Sequence, residues 1–152
     1  MATPAAPSPA FLKRFFKRDR FAARAGIRLL EVGPGRAVAR MPLTPDHLNG
    51  VDVAQGGALF TLGDLAFAAA CNSHGPVALA VEVSISFVAP ATRGPLTATA
   101  REVTRSSRLS RVEVEVADGG GATVALFHGT AYVTRESLVE ASVQPRRRRR
   151  GG

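Results

Sequence analysis

Asp64 is the residue of this 152-residue chain whose surroundings most need an explanation. It stands in the middle of GGALFTLGDLAFAAAC, where Ala58, Leu59, Leu62, Leu65, Ala66, Ala69 and Ala70 recur at helical spacing. Phe60 and Phe67 fill much of the remaining circumference, so this helix is expected to be central and buried. A carboxylate is costly to bury there without partners or a task. Hydrogen bonding is the ordinary way such a group is satisfied. A second way is suggested by Gly56 and Gly57, which stand where the helix begins, about two turns earlier. The first N–H groups of a helix have no partner within it, and they are expected near the carboxylate. A carboxylate kept from bulk water becomes a better base, and helix-start donors stabilise negative charge on an oxygen.

Other chemistry-bearing residues are weaker. Asn49-Gly50 alone reads as a turn, and only its place before Gln55 and Asp64 makes Asn49 a candidate. His47, His74 and His128 lack the spacing of metal ligands, so no metal is expected. The single cysteine, Cys71, lies on the apolar helix and reads as a core residue. No GxSxG occurs, which excludes a serine-hydrolase elbow.

The elements that must hold these residues follow from the rest of the pattern. Residues 1–17 read as a disordered, basic N-terminal segment, although 11–25 carries Phe11, Leu12, Phe15 and Phe16 among basic residues as a short amphipathic helix would. Gly33-Pro34-Gly35 marks a turn, 36–41 a short strand, and 42–49 a loop. After the helix, Cys71 to Pro76 supply a stop. Val77, Leu79, Val81, Val83, Ile85 and Phe87 then alternate with Ala78, Ala80, Glu82, Ser84 and Ser86. A strand this long would reach about 40 Å, so it should curl. Strands over 96–104, 109–117 and 123–134 follow, the last two joined at Asp118-Gly119-Gly120-Gly121. Four successive strands with short connections imply an antiparallel sheet wrapped around the one long helix, an α+β fold. The domain is expected to span 18–137, with 138–152 a basic disordered tail.

Composition sets the outer limits. A hydrophobic fraction of 45% with 21% charged residues is that of an ordinary globular domain. One cysteine excludes an intramolecular disulfide, and no apolar h-region opens the chain, so a reducing, cytoplasmic setting is expected. The net charge of +8 points toward nucleic acid or an anionic membrane. Five of those charges, however, are the arginines at 146–150, which leaves +3 on the rest, and a solvated tail explains them. Contact of the basic ends with nucleic acid or membrane is therefore not the expected function.

NGVDVAQGGALFTLGDLAFAAACNSHG, ISFVAPATRGPLTATA and VALFHGTAY together resemble the hotdog-fold acyl-CoA thioesterases, in the phenylacetate-degradation, or (hydroxy)phenylacetyl-CoA, branch. The similarity covers roughly residues 18–135. It implies a curved sheet around a central helix, and hydrolysis of an aryl-acetyl-CoA or medium-chain acyl-CoA. By position, it implies that Asp64 is the catalytic carboxylate, as general base or nucleophile. It makes Gly56 the N–H donor to the thioester carbonyl and Asn49 the residue that places water or the carboxylate. The branch usually has histidine where this chain has Gln55, and glutamine donates a hydrogen bond but carries no proton. A serine common on the next strand corresponds to Ala80. Gly57, Phe60, Leu65 and Ala68 are expected to meet the substrate, and Arg93, Arg105 and Arg108 the phosphates of coenzyme A. The family suggests a dimer or a dimer of dimers (a homotetramer), with no cofactor, since CoA is part of the substrate. Two alternatives remain at this point: an acyl-thioester hydratase, which Gln55 disfavours, and a non-catalytic acyl-CoA-binding protein.

Overall fold

Gln55 starts the long helix α3 (Gly56–Asn72) by folding its own side chain back, so that Oε1 accepts from the Ala58 N–H at 3.2 Å. Ala, Leu and Phe dominate the helix, and Thr61 is its one β-branched residue, a composition that favours helix. Ser73, Gly75 with φ of 114°, and Pro76 end it. The computed structural model describes residues 2–144. Around α3 lie β1 (Arg28–Gly33), β2 (Arg36–Met41), β3 (Pro76–Phe87), β4 (Leu96–Arg105), β5 (Leu109–Ala117) and β6 (Thr123–Ser137). They form one antiparallel sheet in the order β1-β2-β4-β5-β6-β3. Helices α1 (Pro9–Phe16) and α2 (Arg20–Arg24) precede the sheet, and α4 (Leu138–Val143) follows it.

The sheet curves around α3 because its inward side chains are chosen by size. In β5 the alternation is clean: Ser110, Val112, Val114 and Val116 are buried, while Arg111, Glu113 and Glu115 face water. β2 and β4 turn only small residues to the middle of the helix, Ala37, Ala39, Ala98 and Ala100. Bulk comes from Phe67 of α3 and Phe127 of β6, whose centroids are 5.7 Å apart. Each faces a glycine on the other element. A Cβ on Gly129 would overlap the Phe67 ring, and one on Gly63 would stand 3.0 Å from Phe127 Cδ2. Gly63 therefore sits mid-helix against its own propensity, because burying these rings is worth about 2–3 kcal/mol each. Among the described residues no helix is long and apolar enough to cross a membrane.

The structure departs from the sequence expectations in five places. The expected helix over 11–25 is two helices, because Asp19 caps α2 by accepting from the Ala22 N–H at 3.0 Å. Residues 9–16 are helical rather than disordered, with Ser8 as N-cap and Leu12 buried. β1 was not anticipated. Its register shifts between Leu29 and Glu31, which spoils the period-2 signal, and Gly33-Pro34-Gly35 is the turn of the β1–β2 hairpin. β6 runs on to Ser137, and Ser137 then caps α4, so 138–143 is a helix and not tail. The arginines at 146–150 lie outside the described residues. Finally, β3 does not keep one apolar face. A bulge between Ala80 and Glu82 swaps the faces, so Ala78 packs inward before it and Val83 and Ile85 after it. Leu79 and Val81 are left in solvent on a strand whose outer edge is unpaired among the described residues.

Candidate active site

The loop before α3 is fixed from three sides. Asn49 Oδ1 accepts from the Val51 and Val53 N–H groups at 3.0 and 3.3 Å, and this turn holds Asp52 at a positive φ of 60°. The Ala54 N–H donates to the Ala91 carbonyl at 2.8 Å, and the Gln55 N–H to the His47 carbonyl at 2.8 Å. His47 is itself anchored. Its Nδ1 accepts from the Thr44 N–H, so the ring proton is on Nε2, which donates to the Ala25 carbonyl at 2.8 Å. This rigid entry delivers Gln55 as the N-cap of α3. Because the Gln55 side chain reaches the third helical residue, Ala58, the N–H groups of Gly56 and Gly57 have no partner among the described residues.

Gly57, Phe60, Thr61, Asp64 and Ala68 recur at i, i+3, i+4, i+7 and i+11, and they form the one stripe of α3 that the sheet leaves open along this stretch. Asp64 is half-buried in that stripe, and among the described residues its carboxylate has no hydrogen bond or ion pair. Burial pushes its pKa up, and the Asp19 carboxylate at the start of α2 adds to the rise. The expected closeness of Asp64 to the helix-start donors does not hold within one copy. Eight residues of α3 separate it from Gly56, about 12 Å along the axis and about 80° around it.

A family model described as the thioesterase superfamily matches residues 53–125, which include both the helix start and Asp64. The acyl-coenzyme A thioesterase PaaI of Escherichia coli is 37% identical over 118 residues, 77% of this chain and 84% of that protein. A putative esterase of Archaeoglobus fulgidus is 38% identical over 128 residues, 84% of this chain and 83% of the relative. The solved structure of the E. coli PaaI protein from the phenylacetic acid degradation operon superposes with a TM-score of 0.78 at 35% identity, covering 82% of this chain and 91% of that one. The chain belongs to the hotdog thioesterase superfamily. It is a thioester hydrolase of the PaaI type.

Within this thioesterase the remaining residues divide. Phe60 and Ala68 line the open stripe, with Phe60 steadied by Phe127 at 5.4 Å between centroids. Leu65 does not: it is 4% exposed and belongs to the core, since an all-round apolar helix hides in sequence which side stays open. Ala80 lies on β3 opposite the buried Ala131 and is itself exposed, beside the bulge. Arg105 is not free for phosphate. It donates to Glu102 at 3.0 Å and to the Cys71 carbonyl at 3.1 Å, closing the C-terminal end of α3. Glu102 also takes His74 at 2.9 Å and the Ser110 hydroxyl, so this cluster fastens α3 to β4 and β5. Arg93 and Arg108 stand at opposite ends of β5, about 30 Å apart by strand length, and cannot hold one phosphate together. Arg93 shares its end with the helix start, two residues after Ala91. A surface cavity of about 550 Å³, lined by Arg105, Ser106, Ser107 and Arg135 among others, opens at the far end of α3 and contains none of Asn49, Gln55, Gly56 or Asp64. Cys71 is buried, and burial pushes its thiol up to about 12, as suits a core residue. Sequence reasoning gave no role to Phe87, His47 or Asp19. Phe87 and His47 are linked to the helix start only through the fold, and Asp19 reaches Asp64 only because α2 packs against α3.

Proposed function

We propose that this thioesterase hydrolyses acyl-CoA carrying an aryl-acetyl group (phenylacetyl or hydroxyphenylacetyl) or a medium-length acyl chain, and that two copies of the chain build each active site. The observation that carries the reading is Asp64, a half-buried carboxylate without a partner among the described residues, in a stripe that is otherwise apolar or hydroxylic. The similarity to an acyl-coenzyme A thioesterase from a phenylacetic acid degradation operon supports the substrate class. Asp64 takes a proton from water while the water oxygen bonds to the thioester carbonyl carbon. The carbonyl electron pair moves onto oxygen, where the Gly56 N–H and the positive end of the α3 dipole meet it. Collapse breaks the C–S bond, and the leaving thiolate recovers the proton, giving free acid and CoA. The side-chain amide groups of Gln55 and Asn49 carry no hydrogen bond as donors among the described residues, and they stand ready to orient the carbonyl and the water.

Two features support the shared site. Gly56 and Asp64 of one copy are too far apart to serve one carbonyl. β3 offers a twelve-residue edge that is unpaired among the described residues, with Leu79 and Val81 each more than half exposed. Pairing two β3 edges about a two-fold axis covers that surface and brings one copy's helix start toward the other's Asp64. Arg93 and Arg108, exposed and without ion partners among the described residues, remain the candidates for the phosphates of CoA. Release of free thiol from a panel of acyl-CoAs tests the reading. Asp64→Asn should lower kcat by about 10² or more, and activity within about threefold of wild type would move catalysis elsewhere.

A further inference from the structure

Strand β3 ends by laying an aromatic ring on the start of α3. A Cβ built on Gly56 would stand 3.0 Å from Phe87 Cζ and 3.4 and 3.5 Å from the two Cε atoms, so the tip of the ring points at the Gly56 Cα. Gly56 is the first residue of the helix and has no positive φ, so backbone freedom does not call for glycine there. Alanine would suit the helix better. The ring leaves a Cβ there only a tight fit. Phe87 itself is not filling the core. It sits opposite the fully buried Ala125 on the inward face of β3, yet it is 54% exposed. Phe60, one turn into α3 on the open stripe, is 37% exposed. Two partly open rings therefore stand at the helix start, and the nearer one touches the residue whose N–H has no partner among the described residues.

We propose that Phe87 is a specificity-determining residue: its ring is the wall that the acyl group meets when the thioester carbonyl docks on the Gly56 N–H. The ring is the side chain nearest to the Gly56 Cβ position, so an acyl group whose carbonyl accepts from that N–H has the ring as its neighbour on the Cβ side. A planar aryl-acetyl group gains an aromatic contact there, and a straight chain gains only apolar area. The inference rests on the acyl-CoA hydrolysis proposed above.

The test compares kcat/KM for phenylacetyl-CoA and hexanoyl-CoA in wild type and Phe87→Leu, and follows Gly56→Ala alone and combined with Phe87→Ala. Phe87→Leu should lower the phenylacetyl-to-hexanoyl ratio about 3- to 10-fold, the size of one aromatic contact. Gly56→Ala keeps its N–H but pushes the ring a few tenths of an ångström off its place. It should lose about tenfold, and Phe87→Ala in the same chain should restore most of that loss. An unchanged ratio, an equal loss on both substrates, or strictly additive effects of the Gly56 and Phe87 changes would overturn the role of Phe87 while leaving hydrolysis intact. A wild type that releases thiol from no acyl-CoA would instead remove the hydrolysis reading and this inference with it.

Discussion

Two inactive variants of this chain should make an active enzyme when mixed. The first is Asp64→Asn, which removes the base. The second is Gly56→Pro, which removes the donor N–H. Proline is tolerated at the first position of a helix, and Gln55 already has the extended conformation, φ −66° and ψ 137°, that a residue before proline requires. The Phe87 ring, more than half exposed, must give by a few tenths of an ångström. The reason for expecting rescue is distance. A base oxygen, a water, the carbonyl group and a donor nitrogen in hydrogen-bonded sequence span about 6–7 Å after allowing for their angles. Within one copy Gly56 and Asp64 are about 12 Å apart along α3 and on faces about 80° apart, more than the Asp side chain bridges even leaning toward the helix N-terminus. If each site takes Asp64 from one copy and Gly56 from the other, a mixed dimer has one site with both changes and one with neither. Random exchange of equal amounts then gives about a quarter of wild-type thiol release. Exchange is verified by co-purification of differently tagged chains. A mixture that has exchanged but is no more active than its two parents would refute the shared site.

Four further outcomes follow from the geometry. Because Asp64 is raised by burial and by Asp19, kcat/KM should fall with acid at a pH above the ordinary Asp range of about 3.9, and Asp19→Asn should move that fall to lower pH. The same raised pKa means that ionised Asp64 opposes folding, with no penalty below its unfolded pKa and the full penalty above its folded one, so Asp64→Asn should raise Tm at neutral pH. Gln55→Ser keeps a cap on α3 but loses the amide donor, so Tm should hold while kcat drops, whereas Gln55→Ala should lose both, the cap being worth about 1 kcal/mol. Arg105→Ala should destabilise by about 2–3 kcal/mol, because it takes the guanidinium from the half-buried Glu102 and leaves the Cys71 carbonyl without it, yet leave KM for acyl-CoA near wild type; a raised KM with unchanged Tm would return Arg105 to the ligand.

How legible these features were depended on whether a signal was local. β2 and β5 could be read to the residue because their alternation is unbroken, and the existence and start of α3 because its apolar run is long and closed before Gly75-Pro76. β1 and the two faces of β3 could not, since each carries a bulge, and one inserted residue inverts every later side chain. In the site, Asp64 stood out as a charge in an apolar helix. Leu65 and Ala68 looked alike beside it, because a helix apolar on nearly every side does not announce which stripe the sheet leaves bare. The commitment of Arg105 to Glu102 and to the end of α3 is a tertiary fact with no spacing to betray it. The same is true of Phe87 on Gly56, two residues 31 positions apart.

The pattern of satisfied and unsatisfied polar groups separates structure from chemistry in this fold. His47, Asn72, Ser73 and Ser110 are buried, and each is hydrogen-bonded: His47 to Thr44 and Ala25, Asn72 to Ala68 and Ala78, Ser73 to Gly35 and Ala70, Ser110 to Glu102. Glu102, as enclosed as Asp64 is and just as acidic in type, has three partners. Asp64, by contrast, has none among the described residues, and neither have the N–H groups of Gly56 and Gly57. A chain able to bond every one of the former could as readily have placed a serine or arginine beside Asp64, or a shorter cap than Gln55 to engage Gly57. A half-buried carboxylate left open in an otherwise satisfied structure is destabilising unless something else meets it. One acceptor and two donors left open on the same helix fit a water, a carbonyl oxygen and the edge of a second copy, and the mixing experiment asks whether all three meet at one place.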